Sequence, residues 1–381
     1  MPVTRRLPDA DSEQLLGLVQ QICDAELRPA VDAAEAAGRF PAEIYRTLGQ
    51  TGLLGLPYPE EYGGGGLSYE VYLQVLEELA TAWLAVGIGV SVHTLACFPL
   101  ANFGTDEQRS QWLPPLLAGE QLGAYALSEP QSGSDAASLR TSAAVDGDEY
   151  VVNGTKAWIT HGSVADVIAL MVRTGAAGPP GISCLFATAD TPGLQVQPPE
   201  RKMGAATSPT TPIVLDGARV PRQRLIGAEG EGFKIALAAL DAGRLGIAAC
   251  AVGLAQAALD LSVEYAGQRE QFGRPIGSFQ GLQFMLADMA TQVSAARALY
   301  LDAARLRDSG QNFTAAAAMA KLFATDTAMR VTTDAVQVLG GYGYVSDFPA
   351  ERYFREAKVL QIVEGTNQIQ RMVIGRNLLG T

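Results

Sequence analysis

Proline divides this chain more sharply than hydropathy does. Of its 20 prolines, nine lie in residues 1–120, nine in 121–230, and only Pro275 and Pro349 in 231–381. Inside a helix, proline removes a hydrogen bond and collides with the preceding turn, at a cost of about 3 kcal/mol. A tail almost free of it, rich in alanine and with apolar periodicity, predicts long packed helices over 231–266, 278–309, 314–340 and 367–379. The middle stretch carries short β-rich runs instead: Tyr150–Val152, Val167–Val172, Ile182–Ala187 and Ile213–Leu215, separated by Gly, Pro and Asp. GAAGPPG, Gly175–Gly181, reads as a loop between two of them. In the first stretch, Ser12–Ala37, Pro41–Gly49 and Tyr69–Ala80 have helical spacing, broken by the turn-rich YPEEYGGGG from Tyr58 to Gly66. The order is helical (1–120), β (121–230), helical (231–381).

Composition narrows the partners. With 381 residues, 48% hydrophobic and 18% charged, the chain has apolar surface enough for thick helical layers or buried subunit interfaces, so an oligomer is expected. A formal charge of −12 disfavours nucleic acid and anionic membrane surfaces. Cys23, Cys97, Cys184 and Cys250 are dispersed without a C-x-x-C pair, which fits reduced thiols and a cytoplasmic location. His93 and His161 are the only histidines, so a transition-metal centre lacks ligands at usable spacing and none is expected. Met1–Asp11 puts Arg5 and Arg6 before proline and acid rather than an apolar run, so it reads as no secretory signal. Residues 79–105 carry no formal charge and match a bilayer span in length, but glycines, His93, Pro99 and Asn102 interrupt them; a buried core helix is expected.

Several segments carry chemistry only in combination. LSEPQSGSD, residues 127–135, ends in a Gly133-Ser134-Asp135 corner whose amides can face an anion, although an ordinary strand-to-loop turn reads the same. Asn153-Gly154 reads as a hairpin turn leading into KAWIT, Lys156–Thr160. Trp158 there suits a core or a stacking surface for a planar cofactor. No G-x-G-x-x-G follows a first strand, which excludes a Rossmann dinucleotide site.

These two segments, with LDAGR (240–244), QREQFGRPIGSFQ (268–280), QVLGGYGY (337–344) and VEGTNQIQR (363–371), resemble the acyl-CoA dehydrogenase family in order and over nearly the whole chain. The resemblance implies an α+β, mostly α fold: an N-terminal helical domain, a central β-barrel and a C-terminal four-helix bundle. It also implies FAD, a homotetramer and an electron-transferring flavoprotein as acceptor. The implied reaction oxidises a saturated acyl-CoA to the trans-2-enoyl-CoA. Glu364 matches the base that takes the α-proton while hydride leaves the β-carbon for flavin N5, and its backbone N–H with a ribityl hydroxyl would hold the thioester carbonyl. On its own, Glu364 reads equally as a surface acid before a helix capped by Thr366.

Ser134, Asp241, Arg244 and Gly365 match acyl-CoA contacts. Tyr125, Leu127, Ser128, Gly133, Ser134, Trp158, Ile159, Thr160, Thr366 and Gln368 match contacts to FAD. Arg269, Phe272 and Gln280, with Gln337, Val338, Leu339, Gly340 and Gly341, match residues that reach a neighbouring subunit's FAD. Val363 stands where an aromatic often precedes the base, and His161 where Asn usually follows W-I-T. Gly243 lies where other branches carry their base, which leaves that role to Glu364. Pocket depth is expected to follow helix 83–98, where Gly87, Ile88, Gly89, Val90 and Ser91 are small to medium. The rival readings are a carrier-protein-tethered acyl or aminoacyl substrate, an oxidase, and a non-catalytic assembly partner; nitroalkane oxidases on this fold use an aspartate base.

Overall fold

The computed structural model describes Val3, Arg5 and residues 7–380; of Met1–Asp11, residues 1, 2, 4 and 6 lie outside the described residues. The N-terminal helices are α1 (Ala10–Ile22), α2 (Arg28–Ala37), α3 (Ala42–Gln50), α4 (Tyr69–Ala82), α5 (Leu84–Phe103) and α6 (Asp106–Leu117). The helix expected over Ser12–Ala37 is interrupted by a π turn at Cys23–Leu27. α6 had no signal in proline spacing, because Pro114 and Pro115 sit inside its last turn; a Thr105/Gln108 capping box starts it. The tail forms α7 (Gly232–Gln268), α8 (Gln280–Asp308), α9 (Thr314–Leu339), α10 (Ala350–Leu360) and α11 (Asn367–Leu379). Only α10 was unforeseen.

The uncharged segment is α5, buried along most of its length inside the protein. Its apolar residues face every direction, as a helix enclosed on all sides requires. One continuous core joins the two helical ends of the chain: Leu76, Trp83, Leu245, Val252, Val293, Tyr300 and Ala324 share it. Inside it, the Glu77 carboxylate accepts from Arg297 at 2.9 and 3.0 Å and from the Tyr300 hydroxyl, tying α4 to α8.

Between the helices lie β1 (Gly123–Ala126), β2 (Ser142–Asp146), β3 (Glu149–Thr160), β4 (Val167–Arg173), β5 (Ile182–Thr188), β6 (Leu194–Val196), β7 (Thr210–Pro221) and β8 (Leu225–Ile226). The hydrogen-bonded path is β6-β7-β3-β2-β4-β5-β8, with β1 pairing parallel to β4. Period-two alternation gives this unit two cores. Ile168, Leu170 and Val172 of β4 face its own interior with Tyr150, Leu185 and Val220, whereas Val167, Ala169 and Met171 face α5 and α7 with Leu100, Ile235 and Ala239. That outer face anchors the β unit on the helices.

Asn153-Gly154 is not a hairpin turn. β3 runs through it, with a register break against β7 between Val152 and Gly154. The glycine is needed because a Cβ there would lie 2.5 Å from Thr141 Oγ1, and the Asn153 side chain accepts from the N–H of Gly217 at 2.8 Å. The β2–β3 turn lies earlier, at Gly147, whose φ of 61° suits a tight reversal.

Candidate active site

Glu364 ends the turn after α10. Its φ is 52° and that of Gly365 is 89°, two successive left-handed residues, and for a non-glycine this conformation costs about 1–2 kcal/mol. The surroundings hold it there. The Gln370 side-chain amide donates to the carbonyls of Glu364 (3.2 Å) and Gly365 (2.8 Å), Lys321 Nζ donates to Gly365 at 3.0 Å, and the Thr366 hydroxyl caps α11. The strain aims the carboxyl inward rather than at solvent, so Glu364 is no surface acid. Both carboxyl oxygens are buried without a hydrogen-bond partner. Burial pushes the group from its ordinary 4.5 up to about 8, against the opposing pull of Lys321 and Arg244. A carboxyl held near neutrality in an apolar site is suited to general-base work.

The carboxyl abuts Gly243 on α7, where an added Cβ would lie 2.0 Å from Glu364 Oε2. Gly243 also lines a narrow cavity with Ala239 and Ala242 of α7, Ser91, Thr94, Leu95 and Phe98 along one face of α5, Tyr69 of α4, and Pro57, Tyr58 and Arg307. Of the five residues expected to set its depth, only Ser91 lines it. Gly87 packs on Ala80, Gly89 on Tyr45 and His161, and Ile88 and Val90 enter the helical core, because α5 turns a different face to each neighbour. Gly243→Ala is expected to leave folding intact, since the obstructed atom ends a flexible side chain, and to cut turnover about 100-fold by displacing the carboxylate. Steady-state kinetics beside a melting curve check this.

Asp241 and Arg244, also on α7, form an ion pair, and Asp241 accepts from Thr314 at 2.7 Å. Arg244 is buried, its Nε unpartnered, and burial lowers its pKa against the raising influence of Asp241 and Glu364.

Tyr125 of β1 lies on the side facing the helices, its hydroxyl buried and without a protein partner, and Glu364 is among the charges that act on it. Trp158 has φ 57° where β3 breaks register with β7 between Lys156 and Ile159, and its indole is 55% exposed. Ser128 and Thr160 are half-buried, and Ala157 N–H donates to the Ser128 carbonyl at 2.9 Å, joining the two segments. An orphaned hydroxyl, an open indole face and flanking hydroxyls fit a flat heteroaromatic group with a polar edge. Gly133 and Ser134 lie exposed on the adjoining loop, Leu127 is buried, Thr366 heads α11 and Gln368 follows in its first turn. Ile159 points into the β core, so only its backbone can serve.

The remaining residues gather elsewhere. Arg269, Val338, Leu339, Gly340 and Gly341 line a surface groove of about 640 Å³ with Tyr265 and Tyr342, and the Arg269 guanidinium lies 5.7 Å over the Tyr342 ring. Gln337 is exposed beside it, Gln280 opens α8, and Phe272, with φ 54°, is 92% exposed at the tip of the hairpin joining β9 (Glu270–Gln271) and β10 (Arg274–Pro275). None of these residues lines the cavity beside Gly243.

Sequence reasoning missed several contributors. Lys156 is wholly buried and donates to Glu129 (2.8 Å) and to the Leu127 carbonyl (3.0 Å), while Glu129 accepts from the N–H of Arg140 and Thr141. Lys321 and Gln370 were missed too; a buried lysine within the apolar AMAKL run was the available signal. His161 does not reach the open surface. It is enclosed by Phe40 and Tyr45 with Nδ1 3.3 Å from the Gly123 carbonyl, and burial lowers its pKa to about 4, so it is neutral. Val363 packs against the helical core.

Family models for the acyl-CoA dehydrogenase N-terminal, middle and C-terminal domains match residues 9–120, 124–218 and 230–379 in succession. The chain is 47% identical to an acyl-CoA dehydrogenase of Bacillus subtilis, over 95% of this chain and 96% of that one. Among solved structures it resembles the butyryl-CoA dehydrogenase of Megasphaera elsdenii (41% identical, TM-score 0.96, covering 99% and 100% of the two chains). It also resembles a chain from the structure described as the electron transferring flavoprotein of Acidaminococcus fermentans (43% identical, TM-score 0.97, all of both chains covered). A buried, unpartnered carboxyl next to a narrow cavity, an open aromatic face on β3 and similarity running from end to end leave one assignment: the chain belongs to the acyl-CoA dehydrogenase family, enzymes of FAD-dependent acyl-CoA dehydrogenation.

Proposed function

We infer that this enzyme dehydrogenates short saturated acyl-CoA thioesters with Glu364 as the base. The observation that carries the reading is the Glu364 carboxyl: buried, without a protein partner, and set against Gly243, which lines the narrow cavity between α4, α5 and α7. Tyr58, Tyr69 and Phe98 wall that cavity with large side chains, which favours a short acyl tail, as does the likeness to a butyryl-CoA dehydrogenase.

The residues divide the work. The cavity excludes water from the acyl chain, and the backbone N–H of Glu364 holds the thioester carbonyl as the α-carbon loses its proton to the carboxylate. Arg244, with Asp241, meets the acyl-CoA. Tyr125, Ser128, Trp158 and Thr160 hold FAD, which when bound supplies the acceptor for the β-hydride. Arg269, Phe272, Gln280 and residues 337–341 reach the FAD of a neighbouring subunit in a homotetramer. An electron-transferring flavoprotein reoxidises the enzyme, and the four free, buried thiols fit a reducing cytoplasm.

The holoenzyme mixed anaerobically with acyl-CoAs of increasing length tests this. The flavin band is expected to bleach fully with butyryl-CoA and progressively less beyond it. A flavin that no acyl-CoA bleaches, but a carrier-protein thioester does, would sink the CoA assignment.

A further inference from the structure

The buried lysine of α9 has no place in the chemistry so far. Lys321 sits in the middle of the helix with its side chain sealed from solvent, and its ammonium meets two acceptors: the Gly365 carbonyl at 3.0 Å and Asn367 Oδ1 at 2.9 Å. Asn367 is itself held, its amide donating to Asp326 Oδ1 at 2.7 Å and to the Thr325 hydroxyl at 3.0 Å. A rigid polar stack thus runs from α9 to the residue after the base.

Holding a carbonyl does not require a charge. A neutral amide does it at far lower desolvation cost, as Gln370 does for the same Gly365 carbonyl at 2.8 Å. A buried ammonium with no carboxylate bonded to it directly calls for an opposite charge nearby. Around Glu364, α7 presents Arg244 and Cys250, α4 presents Tyr69 and Tyr72, β1 presents Tyr125, and α9 presents Lys321. The two cations differ, because Arg244 is paired with Asp241 whereas Lys321 has no ion-pair partner among the described residues.

We propose that Lys321 is the positioning residue of the catalytic base: it pins the strained turn after Glu364 through the Gly365 carbonyl and places an unneutralised cation behind the carboxylate so that it can ionise in its buried site. Burial lowers Lys321 to about 8 with Glu364 opposing the shift, as expected of two groups that feel each other's charge. The proposal rests on Glu364 being the base, so the test carries a control for that reading.

Lys321→Gln keeps a donor and removes the charge; Lys321→Arg keeps the charge. For each holoenzyme the pH profile of kcat/KM, which reports the free enzyme's base, is measured with butyryl-CoA beside FAD content and melting temperature. Lys321→Gln is expected to move the acid limb up by about one pH unit and to cut kcat/KM about tenfold at pH 7, with Lys321→Arg restoring the limb. A purely structural lysine would change FAD content or melting and leave the limb in place, and that result overturns the proposal. If Lys321→Gln loses FAD, Lys321→Arg decides alone: a limb within about 0.3 of wild type upholds the proposal, and one displaced by a unit overturns it. Glu364→Gln run in parallel separates the failures, since turnover surviving there removes the base itself rather than the role of Lys321.

Discussion

Glu364→Gln is expected to lower turnover of butyryl-CoA by about 10³-fold or more while FAD stays bound, because the amide fills the same space but cannot accept the α-proton. Rapid mixing under anaerobic conditions measures it, and wild-type bleaching rates in the variant would remove Glu364 from the reaction. The same substitution has a signature in stability. The folded carboxyl keeps its proton up to about pH 8, whereas the unfolded chain releases it near the ordinary 4.5, so wild-type stability from this group is full below 4.5 and is lost as pH rises to 8. Glutamine has no proton to lose. The variant is therefore expected to match wild type near pH 4.5 and to melt at progressively higher temperature than wild type towards pH 8, then to keep a constant lead. A gap that does not widen across this window would contradict the buried, neutral carboxyl.

Glu129→Ala is expected to be the most damaging change away from the base, at about 3–5 kcal/mol of stability, with FAD lost on dilution. Burial pushes the Glu129 carboxyl up, but Lys156 and the N–H groups of Thr141 and Arg140 outweigh it and hold the group at about 2. Removing it orphans two backbone donors and leaves the Lys156 ammonium buried without its counter-charge. Lys156 also carries the Leu127 carbonyl, so the Tyr125–Ser128 segment loosens from KAWIT when the pair breaks. Urea titration followed by near-ultraviolet and flavin signals measures both effects, and a variant as stable as wild type would show that the pair adds nothing.

Much of the helical scaffold was legible. Four tail helices follow from scarce proline and alanine periodicity, and α5 from an apolar run too interrupted to span a bilayer. The errors are instructive. Pro114 and Pro115 masked α6, whose start is fixed instead by the Thr105/Gln108 capping box and whose prolines fall only in its last turn. Asn153-Gly154 carries the strongest local hairpin signal yet lies inside β3, because the close approach of Thr141 rather than a reversal demands the glycine. The resemblance pointed to helix 83–98 for the pocket, and small side chains singled out Gly87–Ser91 within it, whereas the cavity takes the face bearing Ser91, Thr94, Leu95 and Phe98.

Helix boundaries, the β-rich middle and six ordered motifs depend on neighbours within a few residues, and such information survives in a linear chain. Whether Glu364 is a solvated acid before a capped helix or a buried base does not: the same E-G-T is compatible with both. The decision comes from Gly243 opening space on α7, Lys321 and Gln370 pinning the turn, and Tyr125 arriving from β1, contacts between segments far apart in sequence. Desolvation, the force that moves the carboxyl from 4.5 to about 8, is a property of everything packed around a group, and packing exists only once the helices and the sheet have closed on one another.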